Sequence, residues 1–145
     1  MQTNTQQVTV QIKNAQVVDG HPEQIEMTVT GSATVEDAQI SIQYTEFDEE
    51  MHKIETVVRV RLDEFVSVTR SGAYESQMLF QKNKRITTVY STPYGDLPMG
   101  MYTKSIQNTL PLTGPMNGTL SFAYTTDFAG QNTIENEMTL QIKAR

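Results

Sequence analysis

Apolar and polar residues alternate with a period of two along nearly the whole chain, the pattern of strands that bury one face. Val8, Val10 and Ile12 fall on one side, and Thr9, Gln11 and Lys13 on the other. Beyond an Asp19-Gly20-His21-Pro22 turn, Ile25, Met27, Val29, Ala33 and Val35 repeat the pattern against Glu26, Thr28 and Thr30. Ile40, Ile42 and Tyr44 mark the next run, and Ile54, Val58, Val60 and Leu62 the one after it. Val66 and Val68 lead through Arg70 to a Ser71-Gly72 turn; Met78 and Phe80 then share a face. A Lys82-Asn83-Lys84-Arg85 corner opens a strand that reaches Tyr90. Met99, Met101 and Thr103 follow, then Leu120, Phe122, Tyr124 and Phe128 after Asn117-Gly118, and finally Ile134, Met138, Leu140 and Ile142.

No segment sustains an apolar i, i+3, i+4 spacing; residues 35–38 and 48–53 are the nearest helical candidates, each a turn or two long. About ten strands at spacings of about 8 to 14 residues predict an antiparallel sandwich or barrel. Strands apolar on both faces, which a parallel sheet requires, are absent. Short turns in sequence order favour a meander, and a long meander avoids exposed edges by closing on itself. The expected fold class is therefore all-β, an antiparallel up-and-down barrel of about 8 to 10 strands. Only residues 92–100 and 108–117 read as long irregular segments, and 117–118 as a hairpin turn. Residues 1–145 are expected to form a single domain, with the polar leader 1–6 frayed.

Composition narrows the picture. At 145 residues the chain is sized for one core that needs no staples, and zero cysteines exclude disulfides, thiolate metal sites and thiol catalysis. Eleven basic residues against seventeen acidic ones give a net charge of −6, which argues against a nucleic-acid partner. No apolar run approaches the about 20 residues of a membrane span, and the polar N-terminal stretch is unlike a secretion signal. The expectation is a cytoplasmic domain with neither a membrane nor a nucleic-acid partner.

Strand parity then singles out polar residues that point inward. Ile40 and Ile42 share their face with Tyr44 and Glu46, Ile54 and Val58 with Thr56, and Val66 and Val68 with Arg70. Ile86 shares its face with Tyr90 and Thr92, Met99 and Met101 with Thr103, and Phe122 with Tyr124. An inward charge needs a partner, and Glu46 and Arg70 are each other's obvious choice. An ordinary polar pair closing one end of the barrel accounts for them. So does a polar cluster orienting a ligand in a mostly apolar cavity. On the second reading the ligand-binding residues are Tyr44, Glu46, Thr56, Arg70, Tyr90, Thr92, Tyr94, Thr103 and Tyr124. Tyr94 would stand in a Thr92-Pro93-Tyr94-Gly95 corner at the cavity mouth. The interior methionines Met78, Met99, Met101 and Met138 suit either a filled or an occupied lumen.

Tyr44-x-Glu46, Thr56, Arg70-Ser71-Gly72, Met78-x-Phe80, Tyr90-x-Thr92-Pro93-Tyr94-Gly95 and Thr103 occur in that order. With Gly118-x-Leu120-x-Phe122-x-Tyr124 and Met138-x-Leu140-x-Ile142, the series resembles the YwiB-like family of small uncharacterised bacterial proteins over nearly the entire chain. The resemblance implies a calycin-like, lipocalin-type β-barrel of intracellular location, and supplies no function. Residues 96–101 depart from the pattern, since Pro98 and Gly100 interrupt what would be a cleaner strand.

Other chemistry finds little support. Gly95 and Gly100 have phosphate-loop spacing, but Met101 and Tyr102 stand where Gly-Lys-Ser/Thr would follow. His21 and His52 lie in separate turns without a second ligand at metal spacing, and the acid-rich run 46–50 lacks a calcium-loop pattern. Lys82, Lys84 and Arg85 read as a basic corner serving solubility. No serine has a neighbouring histidine, which leaves Glu46 as the one acid–base candidate, with Arg70 as electrostatic partner and Tyr44 or Tyr90 as proton donor. A lone Glu–Arg pair is thin support for an enzyme. The expected role is non-catalytic binding of a small, partly apolar ligand in the lumen, without a cofactor or metal. The alternative is a filled barrel acting through its surface or as a homodimer.

Overall fold

Each alternating run becomes one strand. The computed structural model describes residues 4–73, 75–92 and 95–145. Its strands are β1 (Asn4–Val18), β2 (His21–Glu36), β3 (Gln39–Phe47), β4 (Lys53–Arg61), β5 (Phe65–Gly72), β6 (Ser76–Gln81), β7 (Arg85–Thr92), β8 (Gly95–Asn108), β9 (Gly118–Phe128) and β10 (Gln131–Ala144). All ten lie in one sheet, in the order β6-β5-β4-β3-β2-β1-β10-β9-β8-β7, and every ladder is antiparallel. This is an up-and-down barrel whose first and last strands pair. The break in the ring falls between β6 and β7, which are neighbours in sequence but share no ladder. No helix occurs among the described residues; 35–38 and 48–53 are strand ends and tight turns instead.

Turn chemistry explains the short connections. Asp19-Gly20, Asp37-Ala38 and Ala129-Gly130 each have both central residues at positive φ, the two-residue hairpin geometry that matches strand twist. Residues 117–118 do not form such a hairpin. Gly118 starts β9, and Asn117 Oδ1 accepts a hydrogen bond from the Ala144 N–H at 3.0 Å. The loop 109–117 instead plugs one end of the barrel, with Leu110 and Met116 buried.

Two further expectations change. The chain is paired from Asn4 onward, and Gln6 is tied down: its Nε2 donates to the Gly114 carbonyl and its Oε1 accepts from the Met116 N–H, both at 2.9 Å. Residues 4–6 of the expected frayed leader are thus paired, and residues 1–3 lie outside the described residues. Nor are Thr92 and residues 95–100 irregular, because β7 and β8 run antiparallel from Thr92↔Gly95 to Arg85↔Tyr102; residues 93–94 lie outside the described residues. Pro98 fits there because that stretch of β8 has a partner on one side only.

Among the described residues, buried side chains from every strand except β7 fill the interior. Phe80 and Phe122 are almost completely buried, their ring centroids 4.8 Å apart, and Tyr124 lies 4.6 Å from Phe80. On the outer face Arg85 is no free solubility charge. Its Nη2 donates to Asp127 Oδ1 at 2.7 Å, clipping β7 to β9 across Gly100. Asp127 also accepts the Gly130 N–H.

Gly31 marks where β2 leaves β3. Residues 31–36 pair with β3, while 21–30 pair with β1 alone. A Cβ at Gly31 would run into the Gln43 carbonyl oxygen and lie 3.1 Å from the Cβ of Tyr44. Gly31→Ala should therefore cost about 1–3 kcal/mol, read as a lower urea midpoint at unchanged slope. Hydrogen bonding from Arg85, then from the Gly130 N–H, holds the Asp127 carboxyl below its ordinary value. A lowered native pKa gives stability that is present above the ordinary carboxylate range and lost as pH falls through the native value. Asp127→Asn should thus melt below wild type at neutral pH, with the gap narrowing as acid is added.

Candidate functional site

Four of the inward polar residues meet at the hairpin-tip end of the barrel, opposite the plugged end. Cross-strand register sets Tyr44 of β3 beside Thr56 of β4, Thr56 beside Arg70 of β5, and Arg70 beside Ser76 of β6. Glu46 lies two positions beyond Tyr44 and so on the same face. Fully buried Thr56 donates its hydroxyl to Glu46 Oε2 at 2.6 Å. Arg70 Nε stands 3.6 Å from that same oxygen, with the side chains of Arg70 and Glu46 only 17% and 15% exposed. At 3.6 Å the contact is an ion pair but too long for a hydrogen bond. Among the described residues, no hydrogen bond reaches the Arg70 guanidinium.

The phenols complete the cluster. Tyr44 is buried and its hydroxyl has no partner among the described residues. Burial pushes its pKa well above the ordinary phenol value, Glu46 pushes it further, and Arg70 opposes them. The pKa of Tyr124, on β9, is also raised by burial, with Arg70 opposing. Both phenols stay protonated across the physiological range and act as O–H groups. Thr103 is buried opposite Tyr124, its hydroxyl likewise unpartnered. Tyr90 and Thr92 belong to the backbone of β7; their side chains, and Tyr94 entirely, lie outside the described residues.

Arg70 also lines a cleft of about 750 Å³ in the barrel wall. Its walls include Ser76, Gln77 and Leu79 from β6 and Ile86, Thr88 and Val89 from β7, so it occupies the unpaired seam. Among the described residues, one side-chain bond crosses there, from Thr88 Oγ1 to the Gln77 carbonyl at 3.3 Å. The sequence carries no sign of this cleft. Residues of β6 and β7 look like an ordinary hairpin pair, and only the corner between them reveals otherwise. Lys82 makes a parallel bridge to Thr103, and the Asn83 N–H donates to the Thr103 carbonyl at 2.8 Å. The end of β6 is thereby drawn onto β8, and β7 keeps a backbone ladder with β8 alone.

Comparison with known proteins places this geometry. The family model described as "Domain of unknown function (DUF1934)" matches residues 10–140. The chain belongs to that family. It is 32% identical over 117 residues, 81% of this chain and 79% of the relative, to the "Uncharacterized beta-barrel protein YwiB" of Bacillus subtilis (strain 168). The crystal structure of ywiB protein from Bacillus subtilis superposes with a TM-score of 0.83 at 27% identity, covering 97% of this chain and 93% of that one. The resemblance read from the sequence therefore holds: this is an uncharacterised β-barrel family.

Two hydroxyls of the cluster should behave oppositely. Thr56→Val removes a donor to a sheltered carboxylate and should cost about 1.5–3 kcal/mol. Tyr44→Phe removes an unpartnered hydroxyl and should stay within about 0.5 kcal/mol of wild type, or gain stability. Equilibrium urea unfolding of the two variants checks both.

Proposed function

We propose that this barrel binds a small, partly apolar molecule without catalysing its conversion, as a lipocalin-type carrier or sensor would. The site is the seam cleft with the Glu46–Arg70 pair at its inner edge, rather than the middle of the lumen, which Phe80, Phe122 and Tyr124 occupy. One observation carries the reading: a guanidinium with five N–H donors, mostly sheltered, makes no hydrogen bond among the described residues while lining a cleft. A cleft of about 750 Å³ lies within the usual range of small-molecule sites, and Leu79, Ile86 and Val89 give its otherwise polar lining an apolar stretch. Catalysis has less support. Tyr44 and Tyr124, with raised pKa values, are poor proton donors, and Glu46 is committed to Thr56 and Arg70.

The packed interior favours a second reading, a structural barrel that meets a partner or its own copy through its surface. Ile25, Val89 and Phe47 are exposed apolar residues on which such contact could rest. Native mass spectrometry of protein isolated from its own organism separates the two. A small-molecule adduct lost in Arg70→Lys supports the cleft. A clean apo mass together with a stable dimer supports the surface reading and overturns the cleft.

A further inference from the structure

Resting on that binding reading, we infer that the cleft takes an amphipathic monocarboxylate, its two oxygens on the Nη1/Nη2 edge of Arg70 and its apolar tail along Leu79, Ile86 and Val89. The geometry of Arg70 selects the head group. Glu46 stands at Nε, and Thr56 fixes Glu46 in turn through a 2.6 Å hydrogen bond. An arginine engaged at Nε still offers its outer pair of nitrogens, a fork whose spacing matches the two oxygens of a carboxylate. Those nitrogens have no hydrogen bond among the described residues, and Arg70 belongs to the wall of the cleft.

Charge discriminates among head groups. Glu46 and the exposed Glu75 also stand at or beside the cleft, so Arg70 is a single cation facing two carboxylates. Screening by solvent weakens the exposed Glu75 far more than the sheltered Arg70. One added negative charge, paired in two hydrogen bonds, is then tolerable. A phosphate, near two negative charges at neutral pH, would leave surplus charge against Glu46. An ammonium group would suit Glu46 but leave the guanidinium donors unmet and face like charge. A carboxamide offers one acceptor oxygen where the fork presents two donors.

The tail has its own observation. Leu79 of β6 and Ile86 and Val89 of β7 belong to the same cleft, where β6 and β7 do not pair. Val89 is 62% exposed, an apolar surface that a hydrocarbon chain would cover. Each methylene buried there should raise affinity about fourfold, so affinity should climb with chain length until the cleft is filled.

The test uses four probes with one tail and different heads: decanoate, decanamide, decylamine and decyl phosphate, titrated by calorimetry into the full chain. Decanoate should bind at least about tenfold more tightly than each of the others, and octanoate more weakly than decanoate. Arg70→Lys keeps the charge beside Glu46 but removes the fork; it should lower decanoate affinity by about tenfold or more while leaving the melting temperature close to wild type. Decanamide or decylamine binding as tightly as decanoate would overturn the carboxylate head and leave the binding reading standing. Decyl phosphate binding more tightly would also overturn it, in favour of a general anion site. Failure of all four to bind would overturn the inference, while the native adduct measurement above judges the binding reading independently. The wild-type panel decides the head group even if the variant does not fold.

Discussion

Pairing between the first and last strands is the constraint on which the rest of the barrel depends. β1 and β10 match from Val8↔Ala144 to Val17↔Glu135, and Val8, Val10 and Ile12 bury against the same core as Met138, Leu140 and Ile142. This ladder turns a meander into a ring. It also covers what would otherwise be two exposed terminal edges, the usual hazard of an open sheet. Once the termini are joined, any mismatch in circumference must appear elsewhere. It appears at β6 and β7, where the Lys82–Thr103 bridge pulls the chain across to β8 before β7 begins.

The polar cluster makes physical sense beside that gap. A glutamate and an arginine in a fully sealed core would carry a desolvation cost of several kcal/mol per ion before their attraction offset it. At the wall of an open seam the guanidinium keeps access to water or to a ligand, and Thr56 supplies the carboxylate's hydrogen bond from within the sheet. Gly31 contributes from the other side, because its missing side chain lets β3 bring Tyr44 close to β2. Fold and site are thus linked through two backbone irregularities, one glycine and one diverted corner.

Much of this was legible in the sequence, and the part that was not has a clear origin. Period-two alternation is a local signal, so it located all ten strands and put Tyr44, Glu46, Thr56 and Arg70 on the inner face. Parity also predicted the Glu46–Arg70 pair. Long-range choices left no such trace. Nothing near Lys82 announces a bridge to Thr103, and nothing at Arg85 announces Asp127 as its partner. Gln6 looked like part of a frayed leader because its hydrogen-bond partners, at 114 and 116, are distant in sequence. Pro98 and Gly100 looked like breaks because their tolerance depends on neighbours: β8 has a partner on one side only at Pro98, and the Arg85 side chain lies over Gly100.

The joined termini have a kinetic side as well. Contacts between β1 and β10 link opposite ends of the chain, and topologies dominated by such distant pairings fold slowly because loop closure precedes the reward. During synthesis, β1 has to wait for β10 to leave the ribosome before its second neighbour exists. Until then one edge of β1 is bare. The polar residues along that strand, Thr9, Gln11 and Lys13, are therefore placed where they keep a waiting edge soluble.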